Sequence, residues 1–90
     1  KWYDVPFNKN ALVVNTGRAL EYLSEGRFKA TNHRVLWNKS ERISVPFFFE
    51  PSYDFKMSKS FLNGIDSKKQ SISYESFINK SLKKFVEYAR

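Results

Sequence analysis

Residues 28–49 read FKATNHRVLWNKSERISVPFFF, and the rest of the chain is best understood from this stretch. It holds the chain's only histidine, His33, and nine positions later an arginine two before a serine, Arg42 and Ser44. On either side of the polar loop 38–41 the residues are mostly β-branched or aromatic, the composition of strands. Pro46 has no amide N–H to give a sheet, so the second run suits an edge strand or a bulge. Strand side chains alternate between faces. Arg42 and Ser44 therefore share one face, and Ile43 and Val45 take the other. On the run before, His33, Val35 and Trp37 share a face.

Upstream, residues 11–15 (ALVVN) form a β-branched run suited to a buried strand, and Asn15-Thr16-Gly17 supplies a turn. Residues 19–23 (ALEYL) fit strand or helix by propensity. Ser24-Glu25-Gly26 follows, and a glycine there favours a tight reversal. Turn signals recur about every ten residues, as in all-β sandwiches and barrels. Four or five short strands do not close a barrel, which needs about eight. The expected sheet is unfinished.

Downstream the character changes. Residues 51–70 are polar and loop-like, with Asn63-Gly64 marking a turn. The pattern SISYESFINKSLKKFVEYAR (71–90) predicts a helix with Ser73 as N-cap and Ile72 placed to staple against Phe77. Tyr74, Phe77, Ile78, Leu82, Phe85 and Ala89 fall on one stripe, and Lys83, Lys84 and Arg90 complement the dipole near the C-terminus. That stripe needs a partner surface, most simply the outside of the sheet.

Composition narrows the class. Ninety residues suffice for one small domain, and the 18% aromatic content supplies bulk to bury. With no cysteine there is neither a disulfide nor a thiolate metal site, which fits a reducing compartment; a cytoplasmic location is expected. No run has the length of a membrane span, and the start does not read as a signal peptide. The chain begins Lys1-Trp2-Tyr3 without an initiator methionine, so it is expected to be a piece of something longer. The net charge of +7 invites a nucleic-acid reading, but the basic residues are scattered and the densest groups are pairs. A solvated basic surface is the better account.

Arg42 and Ser44 have chemistry to offer as a pair. A guanidinium beside a hydroxyl makes a carboxylate clamp, the first as a charged fork and the second as one further donor. An imidazole on the same face would lie within reach of the acid so held. Taken singly, a lone histidine is usually an ordinary surface or core residue, and an Arg-x-Ser on a strand is usually an exposed edge pair.

Taken together with their surroundings, these residues resemble the C-terminal part of the isopenicillin N synthase-like family of non-haem iron, mostly 2-oxoglutarate-dependent, dioxygenases. Trp2-x-x-Val5-Pro6 resembles that family's strand leading into the barrel. LVVNTGRALEYLSEGRFKATNHRV (12–35) resembles its Val-Val-Asn-x-Gly turn, Ser/Thr-x-Gly-Arg turn and His-Arg-Val strand, and RISVPFFFEP (42–51) its Arg-x-Ser strand with an aromatic tail. The likeness covers roughly residues 1–53.

The resemblance implies a mainly β fold, the C-terminal portion of a double-stranded β-helix or jelly roll, followed by a C-terminal α-helix. Residues 1–53 would be the last strands of the core and 54–90 a loop and helix packing on it, all within one larger domain. It implies that His33 is the distal histidine of a two-His-one-carboxylate triad for Fe(II). Arg42 and Ser44 would grip the far carboxylate of 2-oxoglutarate. Oxygen and a small organic molecule would be the other reactants, with release of succinate and CO2. Phe47, Phe48 and Phe49 are expected to pack between barrel and helices, and Asn32 and Arg34 flank the ligand.

Two departures stand out. The family usually carries an acidic residue after the turn glycine, where this chain has Arg18. The family's proximal His-x-Asp motif is absent, and with one histidine a single copy cannot build the triad. The ninety residues alone are expected to be inactive, the missing ligands coming from an N-terminal segment of the same protein. Two other readings stay open: an iron oxidase of the same fold that does not use 2-oxoglutarate, and a non-catalytic basic jelly-roll module.

Overall fold

A computed structural model of the chain describes residues 1–59 and 71–84. Its elements run α1 (Arg18–Leu23), β1 (Lys56–Met57), β2 (Ile72–Ser73) and α2 (Tyr74–Leu82).

The ambiguous run 19–23 is helical. Alanine, leucine and glutamate are strong helix formers, and they outweigh the lone tyrosine. Helix α1 starts at Gly17, which offers no side-chain cap, and it stops in a Schellman turn. There the Gly26 N–H reaches back to the Glu21 carbonyl at 2.8 Å, and the Glu25 N–H reaches Tyr22 at 3.2 Å. Such a turn requires left-handed backbone, which Glu25 (φ 52°) and Gly26 (φ 80°) both adopt. The expected reversal at Ser24-Glu25-Gly26 is thus a helix C-terminus rather than a hairpin.

The chain then folds back along α1. Ser24, only 5% exposed, uses its hydroxyl twice: it donates to the Glu21 carbonyl at 3.3 Å and accepts from the Phe28 N–H at 3.0 Å. The Glu21 carboxylate accepts from the Ala30 N–H. These bonds bring residue 31 back beside residue 16, where the Thr31 N–H donates to the Thr16 carbonyl at 2.9 Å.

The second unit is built around Tyr74. Strands β1 and β2 pair antiparallel, Lys56 opposite Ser73 and Met57 opposite Ile72. The pairing continues into the first turn of α2, whose orphan amides find partners in the preceding loop. Tyr74 N–H donates to Phe55 O at 2.9 Å, and Glu75 N–H to Tyr53 O at 3.0 Å. Ser73 caps the helix as expected, its hydroxyl oxygen accepting from the Ser76 N–H at 3.2 Å. Met57 (0% exposed) and Tyr74 (2%) form the apolar centre. Tyr53 stacks on Tyr74 with ring centroids 6.2 Å apart.

Three expectations need correcting. Residues 11–15, 27–37 and 42–50 form no strand ladder among the described residues, where the Thr31 N–H to Thr16 carbonyl bond joins the backbone on either side of α1. A strand exists by pairing, and these few segments do not supply one another's partners. Their large apolar side chains consequently face out, with Leu12, Ile43 and Phe49 all more than 90% exposed. Residues 51–70 were read as loop, yet they contain β1. Among the described residues the stripe of α2 lies on no broad sheet: Phe77 meets Tyr22 of α1, and Tyr74 stacks on Tyr53 at the short β1–β2 pair. Asn63-Gly64, Phe85, Ala89 and Arg90 lie outside the described residues.

Candidate functional site

Three residues carry the chemistry expected from the sequence, and the structure places them in two segments outside any helix or strand. His33 lies two residues beyond the Thr31 anchor. Arg42 and Ser44 follow a turn in which Asn38 Oδ1 accepts from the Ser40 N–H at 2.7 Å and from its hydroxyl at 2.8 Å. All three are exposed, and no hydrogen bond joins any two of them among the described residues. Arg42 and Ser44 make no hydrogen bond there either, so their donors are open to an acid.

His33 is more constrained than its exposure suggests. Its Nδ1 lies 2.8 Å from the Thr31 carbonyl oxygen. A carbonyl only accepts, so Nδ1 must carry the proton in that bond. In the neutral ring this leaves the Nε2 lone pair open. An imidazole fixed by a backbone carbonyl through one nitrogen and bare at the other is the usual state of a metal-ligating histidine.

Thr31 is itself held. Its N–H donates to the Thr16 carbonyl, and the two hydroxyl oxygens stand 3.1 Å apart. The Thr16 hydroxyl donates its one proton to the Lys29 carbonyl at 2.5 Å. The Thr31 hydroxyl must then be the donor between the two threonines. On the other side of His33, the Arg34 guanidinium sits 4.3 Å from the centroid of a Trp2 ring. Neither the threonine pair nor the Arg34–Trp2 stack was read from the sequence. Residues fifteen or more positions apart in irregular backbone leave no periodic signal.

The donor set was tested against the iron that the resemblance implies. His33 offers one nitrogen of suitable chemistry. Among the described residues no group of three His, Cys, Asp or Glu is placed to hold an ion. The chain therefore fits iron as the supplier of one ligand position and not as a complete cage. Among the same residues no helix is long and apolar enough to cross a membrane.

The sequence model of the 2OG-Fe(II) oxygenase superfamily matches residues 1–51, and the chain belongs to that family. It is a family of dioxygenases with a jelly-roll fold, Fe(II) and 2-oxoglutarate. A bi-functional coumaroyl CoA and feruloyl CoA ortho-hydroxylase from Ipomoea batatas is 53% identical over 51 residues, covering 56% of this chain and 14% of the relative. A flavonol synthase/flavanone 3-hydroxylase from Petunia hybrida is 47% identical over 51 residues, 56% of this chain and 15% of its own length. The same-named protein of Solanum tuberosum is 42% identical over 57 residues, 62% and 16% respectively. The chain thus spans about one seventh of the curated relatives it matches. No solved structure matches it.

Proposed function

We propose that the protein is an Fe(II)- and 2-oxoglutarate-dependent dioxygenase acting on a small aromatic molecule, and that these ninety residues contribute its distal histidine and co-substrate clamp. The single observation that carries this reading is the Nδ1–H bond from His33 to the Thr31 carbonyl, which leaves Nε2 as the free donor. The relatives' names supply the substrate class: feruloyl and coumaroyl thioesters and flavonoids are all aromatic.

Each residue then has a task. His33 Nε2 occupies one ligand position, and Thr31 keeps that ring from turning. The Arg42 fork takes the far carboxylate of 2-oxoglutarate through two parallel charged hydrogen bonds. The Ser44 hydroxyl donates a third. Holding the remote end would fix how the keto-acid end is presented to an iron bound by His33. The bound iron and co-substrate supply the oxidation itself, with succinate and CO2 released as the substrate is oxidised. A second imidazole comes from outside these ninety residues, because the chain has one histidine, and the carboxylate comes with it from the His-x-Asp motif that the family resemblance implies. The ninety residues by themselves are inactive.

The test is product stoichiometry in the full-length protein supplied with Fe(II), 2-oxoglutarate and hydroxycinnamoyl or flavonoid substrates. One succinate formed per molecule of substrate oxidised supports the proposal. Oxidation that proceeds without 2-oxoglutarate would point to the oxidase form of the same fold. Absence of both, with strongly salt-dependent binding to nucleic acid, would point to the basic module.

A further inference from the structure

We propose that Thr16, seventeen positions before His33, is a positioning residue for the metal-binding imidazole. The proposal rests on His33 being a ligand and goes beyond it by naming what aims the ring. Its basis is a directed chain of hydrogen bonds. His33 Nδ1–H donates to the Thr31 carbonyl at 2.8 Å. The Thr31 peptide is pinned by its own N–H to the Thr16 carbonyl at 2.9 Å. The Thr31 hydroxyl donates to the Thr16 hydroxyl oxygen at 3.1 Å, and that hydroxyl donates onward to the Lys29 carbonyl at 2.5 Å.

Thr16 thereby touches the returning segment at three points, two on Thr31 and one on Lys29. A carbonyl orients an imidazole only if the carbonyl is itself fixed, and no strand ladder holds this segment among the described residues. The threonine pair does what a ladder would do elsewhere. Both side chains are short and β-branched, so few rotamers compete with the bonded one. Removing a partner bonded directly to a metal ligand typically lowers metal affinity by 10–100-fold, and Thr16, one bond further out, acts at or below the lower end of that range.

The experiment titrates Co(II) into the full-length, metal-free protein and its Thr16→Val, Thr16→Ser and His33→Ala variants, reading the visible absorption spectrum and the dissociation constant. Valine keeps the shape and loses the hydroxyl, whereas serine keeps the hydroxyl. Expected are Co(II) binding weaker by up to about tenfold with a shifted spectrum for Thr16→Val, and near-native values for Thr16→Ser. Thr16→Val with a lowered melting temperature but unchanged Co(II) affinity and spectrum would overturn the proposal, since that is what a structural role gives. So would a serine variant as impaired as valine. Should Thr16→Val fail to fold, Thr31→Val removes the side-chain half of the clasp and keeps the accepting carbonyl. Unchanged Co(II) affinity in that variant overturns the proposal, and weakened affinity supports it. If His33→Ala binds Co(II) like wild type, the ligand assignment itself fails, which is a separate result.

Discussion

Tyr22 of α1 and Phe77 of α2 meet with ring centroids 5.4 Å apart and planes tilted by 54°, joining the family-matched part of the chain to its tail. Tilted aromatic pairs contribute beyond the area they bury. Phe77→Ala in the full-length protein should therefore cost about 2 kcal/mol, and Phe77→Leu less, because both rings are half-buried rather than enclosed. Urea unfolding measures both, and equal losses would show that the ring geometry contributes nothing.

Gly26 closes the Schellman turn at φ 80°, and an added Cβ would meet the Lys29 ammonium nitrogen at 3.0 Å. The lysine end can swing away, but the backbone cannot. Gly26→Ala should cost about 1 kcal/mol in urea unfolding, and Gly26→Asn, which tolerates left-handed backbone, noticeably less.

Burial pushes the Tyr74 phenol up to about 12, with a hydrogen bond to the Glu50 carboxylate and its charge acting the same way. The unfolded chain ionises this phenol near the ordinary value of about 10. Between these values the unfolded state has lost the proton and the folded state retains it. Stability contributed by this group is thus full below pH 10 and falls as pH rises toward 12. Tyr74→Phe removes that component, so the gap between variant and wild-type unfolding midpoints should narrow from pH 9 to pH 11. Parallel pH curves would show that Tyr74 is not the group responsible.

Arg42→Lys keeps the charge and loses the planar fork, and Arg42→Ala loses both. The apparent KM for 2-oxoglutarate should rise about tenfold in the first and more in the second, on the order of the loss of one or two charged hydrogen bonds. Co(II) affinity in the absence of 2-oxoglutarate should stay native in both. An unchanged 2-oxoglutarate requirement in Arg42→Ala would remove the clamp assignment.

The Arg34 guanidinium over Trp2 ties the first residues to the segment bearing His33. A double-mutant cycle with Arg34→Met and Trp2→Leu should return a coupling of about 0.5–1 kcal/mol. Additive losses would mean that the stack is incidental.

The sequence made some elements legible and hid others for physical reasons. Ser73 and the Tyr74–Phe77–Ile78–Leu82 stripe were readable because capping and helical periodicity are local. Residues 19–23 were not decidable, since Tyr22 favours strand while Ala19, Leu20 and Glu21 favour helix, and the Schellman turn behind them settles it. The pairing of Lys56–Met57 with Ile72–Ser73 had no signal, being two short pairs of one polar and one apolar residue far apart in sequence. His33, Arg42 and Ser44 became candidates only through the joint pattern around them. What holds His33 could not be read at all, because the Thr16–Thr31 clasp is a contact in space between two unremarkable hydroxyls.

The unpaired stretch 42–49 has a consequence for handling the polypeptide. Open main-chain N–H and C=O groups beside Ile43, Val45, Phe47, Phe48 and Phe49, each at least 74% exposed, form a template for strand addition by another chain. Pro46 sits in the middle of that template with no N–H to donate, and it divides the run into pieces shorter than a six-residue zipper needs. The same imino acid that weakens this strand as a sheet member therefore acts as a gatekeeper against fibre growth. Replacing it with valine would create ISVVFFF, an uninterrupted, uncharged β-prone segment.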